Sequence, residues 1–388
     1  MLSGRLVAAK VWLKGIIVSE SDSHREHLVY VDVLNIIACF AVVMLHVSLN
    51  VFNPLGDHWV RAVLFQAIAI FAVPVFFMIS GMNLIGYSDK YDARTFFKKR
   101  AWRVGRALIL ASLFCYVLFC MFPFSFYGAE QYAGKFGLLD LLVRFLTNSV
   151  NDTYWFLYTI IYLYILTPLL TRAKTSKKLL EYLLLILFSV SFVIPLIEKM
   201  GVPKEYFGAL FNWPFFASSS LFYYILGFYI KKYVKELPPI WLTAGMFVVS
   251  AAAMFFGGLY TNGYFSQRSE TYSNYVIGTA SPLCALEAVS LFLLLMSAEE
   301  HLKKYPSKVL RGVKEISGAS LGVYLFHILI INWAGVNLQG RIAEFWGNHM
   351  EMRTVVVYAI TLVLVVLAKR AIALCKGHKK GRIADNVS

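Results

Sequence analysis

The chain has 388 residues, of which 59% are hydrophobic and only 15% charged, with a net charge of +15. A soluble domain carries roughly a quarter charged residues, whereas here the apolar residues come in blocks of about 18 or more, long enough to cross a ~30 Å hydrocarbon core. That excludes a soluble globular enzyme, and the excess of Lys and Arg reads as the basic bias of cytoplasmic loops, because no basic soluble domain exists to carry a nucleic-acid surface.

The first 29 residues are expected to be a cytoplasmic extension rather than a cleavable signal. The apolar stretch before Glu20 is short and is broken by Lys10 and Lys14. A basic amphipathic helix on the inner leaflet and a plain extension both fit it. Ten spans follow, near 31–51, 63–86, 104–124, 154–171, 179–198, 215–231, 238–259, 277–297, 316–338 and 353–374. Ser218, Ser219 and Ser220 dilute the sixth. The segments 125–153 and 260–276, rich in Tyr, Gly, Asn and Ser, are the longest on the outer side and suit the cover of an outward-facing cleft. Residues 376–388 are expected to form a basic cytoplasmic tail.

Alternate loops test this order. One set, from Arg5 through the run Lys98-Lys99-Arg100 to Lys380 and Arg382, holds 29 of the 37 basic residues. The other holds Arg61, Lys135, Arg144, Lys199, Lys204, Arg268, Arg341 and Arg353. The positive-inside rule then puts both termini in the cytoplasm, and a missed helix would scramble the alternation. The expected fold class is all-α, a polytopic membrane bundle of about ten transmembrane helices. Of the five cysteines, Cys39, Cys115, Cys120, Cys284 and Cys375, four lie in apolar segments and none has metal-ligand spacing. They are expected to act as small buried hydrophobes, with no disulfide framework and no metal site.

A polar side chain at the centre of a span costs on the order of 2–3 kcal/mol, so each one is worth locating. In the first span Asn35 and His46 are eleven residues apart, almost three helical turns, which sets them on one face about 16 Å apart along the axis. Cys39 lies between them and Asp32 at the inner lip. An imidazole suits proton transfer, and an interhelical hydrogen bond that merely holds the bundle fits the same stripe. In the ninth span Ser317, Ser320, Tyr324 and His327 share a face at spacings of three and four, where a packed, hydrogen-bonded helix and catalysis again both fit. Glu287 is the carboxylate deep in a span and is expected to pair with a histidine or tyrosine or to line a substrate path. The run Lys98-Lys99-Arg100-Ala101-Trp102-Arg103 is ordinary inside anchoring or a cytoplasmic site for a polyphosphate, held by bidentate guanidinium contacts.

From about Tyr30 to Lys369 the chain resembles the acyltransferase 3 family of bacterial integral membrane O-acyltransferases. Five places carry the likeness: Asp32-Val33-Leu34-Asn35 through His46; Phe76-Phe77-Met78-Ile79-Ser80-Gly81; the pair Arg100 and Arg103; Trp155-Phe156-Leu157-Tyr158 through Tyr164 and Pro168; and Ser317-Gly318-Ala319-Ser320-Leu321-Gly322-Val323-Tyr324-Leu325-Phe326-His327. Residues 30–375 would then be the transmembrane acyltransferase domain. The resemblance implies transfer of an acyl group, usually acetyl from cytoplasmic acetyl-CoA, to a hydroxyl of a cell-surface glycan or lipid-linked precursor at the bacterial plasma membrane. It implies acetyl-CoA as co-substrate with no tightly bound cofactor, membrane lipids as surroundings, and no nucleic-acid partner. It assigns His46 as general base or acyl relay, flanked by Asp32 and Asn35, and Arg100 and Arg103 to the CoA phosphates. Ser80, Trp155, Glu287, Tyr324 and His327 are candidates to support the substrate or steady the carbonyl oxygen.

Two positions depart from the family pattern: Asn35 stands where Arg is frequent, and Thr153 where His is frequent. His46 falls about 22 Å beyond the inner edge, past the mid-plane, which points to an acceptor outside the cytoplasm. A glycan exporter is the rival from another class, since it also needs internal polar stripes, and a non-catalytic membrane sensor is a third.

Overall fold

The computed structural model describes residues 27–201, 218–267 and 272–384, with side chains described to Leu374 in the last helix. The expected N-terminal extension, save its last residues, lies outside them. Among the described residues every regular element is helical. In chain order they are α1 (Val29–Val47), α2 (Trp59–Ala69), α3 (Ala72–Leu84), α4 (Trp102–Met121), α5 (Leu138–Leu146), α6 (Trp155–Ala173), α7 (Lys177–Phe188), α8 (Ile194–Lys199), α9 (Ser219–Tyr233), α10 (Ile240–Thr261), α11 (Pro282–Ser297), α12 (Ser307–Asn337), α13 (Gly340–Asn348) and α14 (Met350–Ala384). Residues 376–384 of the expected tail thus continue α14 as helix.

Eight described helical stretches are long and apolar enough to cross a membrane: Val29–Val47, Trp59–Asp89, Ala93–Met121, Asp152–Ala173, Lys177–Lys199, Ile240–Thr261, Ser307–Asn337 and Met350–Leu374. They coincide with eight of the ten expected spans, and the protein is a multi-pass membrane protein. At the sixth and eighth places stand the shorter helices α9, of 15 residues, and α11, of 16.

The chain forms two compact units. The first takes Leu28–Phe97 and Thr159–Val313; the second takes Lys98–Tyr158 and the chain from Lys314. In the first unit α1 packs on α2, α3 and α11, α11 also packs on α3 and α10, and α9 lies along α3 and α7. The α3–α9 crossing is set by two glycines. A Cβ at Gly81 would collide with the Tyr224 carbonyl, and one at Gly227 with the Met78 carbonyl, so the two backbones meet at both points. Small residues allow such close approach in membrane helices, where packing rather than hydrophobicity drives association.

α1 begins without a side-chain cap of its own. Instead Glu299, from the short turn Glu299–Leu302, accepts the Val29 N–H at 3.1 Å on one carboxylate oxygen and the Tyr30 N–H at 2.7 Å on the other. Two otherwise orphaned helix donors are satisfied by an acid at the positive end of the dipole.

In the second unit the expected outer segment 125–153 is folded and contains α5. The Tyr116 hydroxyl donates to the Lys135 carbonyl at 2.6 Å, and Tyr132 to those of Ser149 and Val150 at 2.9 and 3.0 Å. Arg144 pairs with Asp140 at 2.9 Å and lies over the Tyr132 ring. α5 turns Leu138, Leu139, Leu142 and Leu146 outward, an amphipathic face suited to the membrane interface.

Candidate functional site

The first unit carries Asp32, Asn35, His46, Ser80 and Glu287 on three helices that pack on one another, α1, α3 and α11. Asp32 sits in the first turn of α1 and His46 in the last, so the stripe runs the length of the helix. Asp32, Asn35 and His46 are each half-buried, while Leu34 and Cys39 beside them are buried. Ser80 is half-buried on α3.

The end of α1 that carries His46 is clamped from α2. The buried Gln66 amide donates to the Leu45 carbonyl and to Ser48 Oγ, both at 2.9 Å. Trp59 Nε1 donates to the Val51 carbonyl at 3.0 Å. The backbone on both sides of His46 is therefore fixed by buried donors, and neither Gln66 nor Trp59 was marked by the sequence reading. Gln66 lies on an apolar helix, and that placement was the available signal.

Glu287 is fully buried, and neither carboxylate oxygen has a hydrogen-bond partner among the described residues. Among the described residues the expected pairing with a histidine or tyrosine is not formed. Its helix packs on α3, and the Phe71 backbone amide lies close to the carboxylate. Phe71 stands at a break between α2 and α3 that the long apolar run concealed. Its cause is Pro74, which has no N–H for the Ile70 carbonyl four residues back and cannot continue the ladder through that turn.

The second unit carries Arg100, Arg103, Trp155, Tyr324 and His327. Arg100 lies in a π turn, Phe97–Ala101, and Arg103 in the first turn of α4. Both are half-buried. An inserted residue in a helix of this kind re-aims the side chains around it. One turn on, Arg106 lies 5.8 Å from the Trp102 ring centroid as a third half-buried guanidinium on the same stretch.

The α12 stripe meets the segment before α6. The Tyr324 hydroxyl donates to the Thr153 carbonyl, and the Tyr154 hydroxyl donates to the Leu325 carbonyl at 2.9 Å. The Thr153 hydroxyl donates in turn to Asn151 Oδ1 at 2.8 Å. Position 153, where the family pattern frequently has His, thus contacts Tyr324 through its backbone. His327 is fully buried, and its Nδ1 faces its own helix, 2.8 Å from the Tyr324 carbonyl and 3.1 Å from that of Val323. Trp155 is 41% exposed at the start of α6.

The profile of the acyltransferase domain family, Acyl_transf_3, matches residues 28–369. The chain belongs to that family. Comparison with curated proteins and with solved structures gives no match. The match begins at the residue before α1 and ends within α14, so it takes in every candidate residue above. The protein is therefore an acyltransferase built on membrane-spanning helices.

Proposed function

We propose that this acyltransferase moves an acetyl group from acetyl-CoA to a hydroxyl of a cell-surface glycan or lipid-linked glycan precursor at the bacterial plasma membrane, with both termini cytoplasmic. The observation that carries the reading is the family match across nearly the whole chain, with His46 held between two clamps at the end of α1. The alternation of basic loops supports the orientation.

In this reading His46 takes the proton of the acceptor hydroxyl as its oxygen attacks the thioester carbonyl. The C–S bond breaks, and the CoA thiolate recovers the proton from the imidazolium. Asn35, as an amide donor, steadies the carbonyl oxygen as charge develops on it. Arg100 and Arg103 take the CoA phosphates, which planar guanidinium groups bind in pairs of hydrogen bonds.

The test is CoA release by the purified protein in lipid nanodiscs, supplied with acetyl-CoA and glycan from the host cell surface, with mass spectrometry of the glycan. Ester on the glycan and CoA release that both depend on His46 are expected. Glycan movement across a vesicle membrane with no acyl donor present would favour an exporter and overturn the reading.

A further inference from the structure

A cavity of about 740 Å³ opens in the first unit at the ends of α8 and α10, beside the chain that leads into α11. That volume lies within the ~300–1,000 Å³ range of small-ligand sites. Lys199, Tyr260, Thr261, Phe265, Ser273 and Tyr275 line it.

Its walls are fastened to one another. The fully buried Asn262 donates through Nδ2 to the carbonyls of Gly258 at 2.9 Å and Ser273 at 3.3 Å, and its Oδ1 accepts the Ser273 N–H at 2.7 Å. The Tyr275 hydroxyl donates to the Phe192 carbonyl at 3.5 Å, which ties in the turn before α8. Tyr260 and Phe265 keep their rings 75% and 62% exposed. Burial pushes the Tyr275 phenol up to about 12, so it stays a neutral hydroxyl at ordinary pH. Lys199 is exposed and forms no ion pair among the described residues, and its neighbour Glu198 does not line the cavity.

The cavity belongs to the same end of the unit as His46. Phe52, which closes the turn after α1, meets the Tyr272 ring at 4.9 Å, next to Ser273. Trp59, which clamps that turn, stacks on Tyr264 at 6.3 Å, next to Phe265.

Exposed aromatic rings accept the C–H faces of pyranose rings, small hydroxyls match sugar hydroxyls, and a single ammonium matches one anionic group. We propose that this cavity is the acceptor subsite and that it takes a glycan segment bearing an acidic group, with that group on Lys199 and a sugar ring on Tyr260 and Phe265. Its role as acceptor subsite rests on the acyl-transfer reading; its affinity for an acidic glycan rests on the cavity alone.

The full-length protein in phosphatidylcholine nanodiscs is titrated by calorimetry with a uronic-acid tetrasaccharide and with a neutral glucose tetrasaccharide. The acidic sugar is expected to bind more tightly and to weaken with added salt. Lys199→Met is expected to weaken it by ~10-fold and remove the salt dependence, while Lys199→Arg retains both. Tyr260→Ala with Phe265→Ala is expected to weaken both sugars. Equal binding of the two sugars, no binding of either, or wild-type affinity in Lys199→Met would overturn the proposal. So would displacement of the acidic sugar by phosphatidylglycerol added to the nanodiscs, which would assign Lys199 to a lipid headgroup. His46-dependent CoA release without sugar binding would leave the acyl-transfer reading standing, and sugar binding without CoA release would do the reverse.

Discussion

The polar stripes of α1 and α12 look alike on paper and differ in the folded chain. Each sets a histidine at the far end of a line of polar residues on one helical face. On α12 the line is buried and partly tied to backbone: His327 is fully buried with Nδ1 on carbonyls of its own helix, and the Tyr324 hydroxyl is on the Thr153 carbonyl. On α1 the residues Asp32, Asn35 and His46 are all half-buried, and the backbone at both ends of the helix is held by Glu299, Gln66 and Trp59. A group that must meet a substrate needs a reachable side chain on a fixed frame; a group that holds helices together needs neither access nor freedom. The two stripes thus differ in burial, and that difference is what the variants below put to the test.

The sharpest way to break this contrast is to exchange the losses. His46→Ala is expected to lower turnover by about 10²–10⁴-fold while the melting temperature stays put. His327→Ala is expected to do the opposite, costing about 2 kcal/mol or more of stability through a buried void and lost hydrogen bonds, with turnover per folded molecule nearly unchanged. Thermal melts beside CoA-release assays on both variants measure it. Equal losses of activity would place both histidines in the chemistry.

Gln66→Leu tests whether the frame around His46 matters. It removes the donors to the Leu45 carbonyl and Ser48 while keeping an apolar side chain of similar size. Turnover is expected to fall by about 10-fold with the KM for acetyl-CoA unchanged, since a displaced base costs orientation rather than donor binding. On the other stripe Tyr324→Phe is expected to cost about 1 kcal/mol of stability, the worth of one hydrogen bond, and little activity. A large fall in turnover there would draw Tyr324 back into the site.

How much of this was legible beforehand follows from the kind of signal. Spans were legible because hydrocarbon thickness fixes their length, and eight expected ones recur as helices of spanning length. The stripes were legible because helical periodicity is local. The Glu299 cap on α1 was not, because acid and amides are some 270 residues apart in sequence and meet only when the chain folds. Nor was the break at Phe71: Pro74 was visible, but hydropathy alone runs straight through it. The order within 125–153 was not legible either, because it comes from tyrosine hydroxyls reaching distant carbonyls, which no periodicity announces.

Asn35 gives the smallest expected effect and the most specific test of the α1 stripe. The family pattern frequently has Arg at this position, and Asn35 is half-buried on α1. If Asn35 serves the carbonyl oxygen as a neutral donor, a guanidinium there makes a charge-assisted bond of about twice the strength. The gain should appear only as negative charge develops on the oxygen, so Asn35→Arg is expected to raise kcat by about 2–5-fold and leave KM for acetyl-CoA unchanged. Asn35→Ala should lower kcat by a similar factor, and steady-state kinetics on the two variants read both. A fall in kcat for the arginine variant, with the protein still folded, would mean that the neutral amide is fitted to a partner other than the oxyanion. The α1 stripe would then resemble that of α12 more than its exposure suggests.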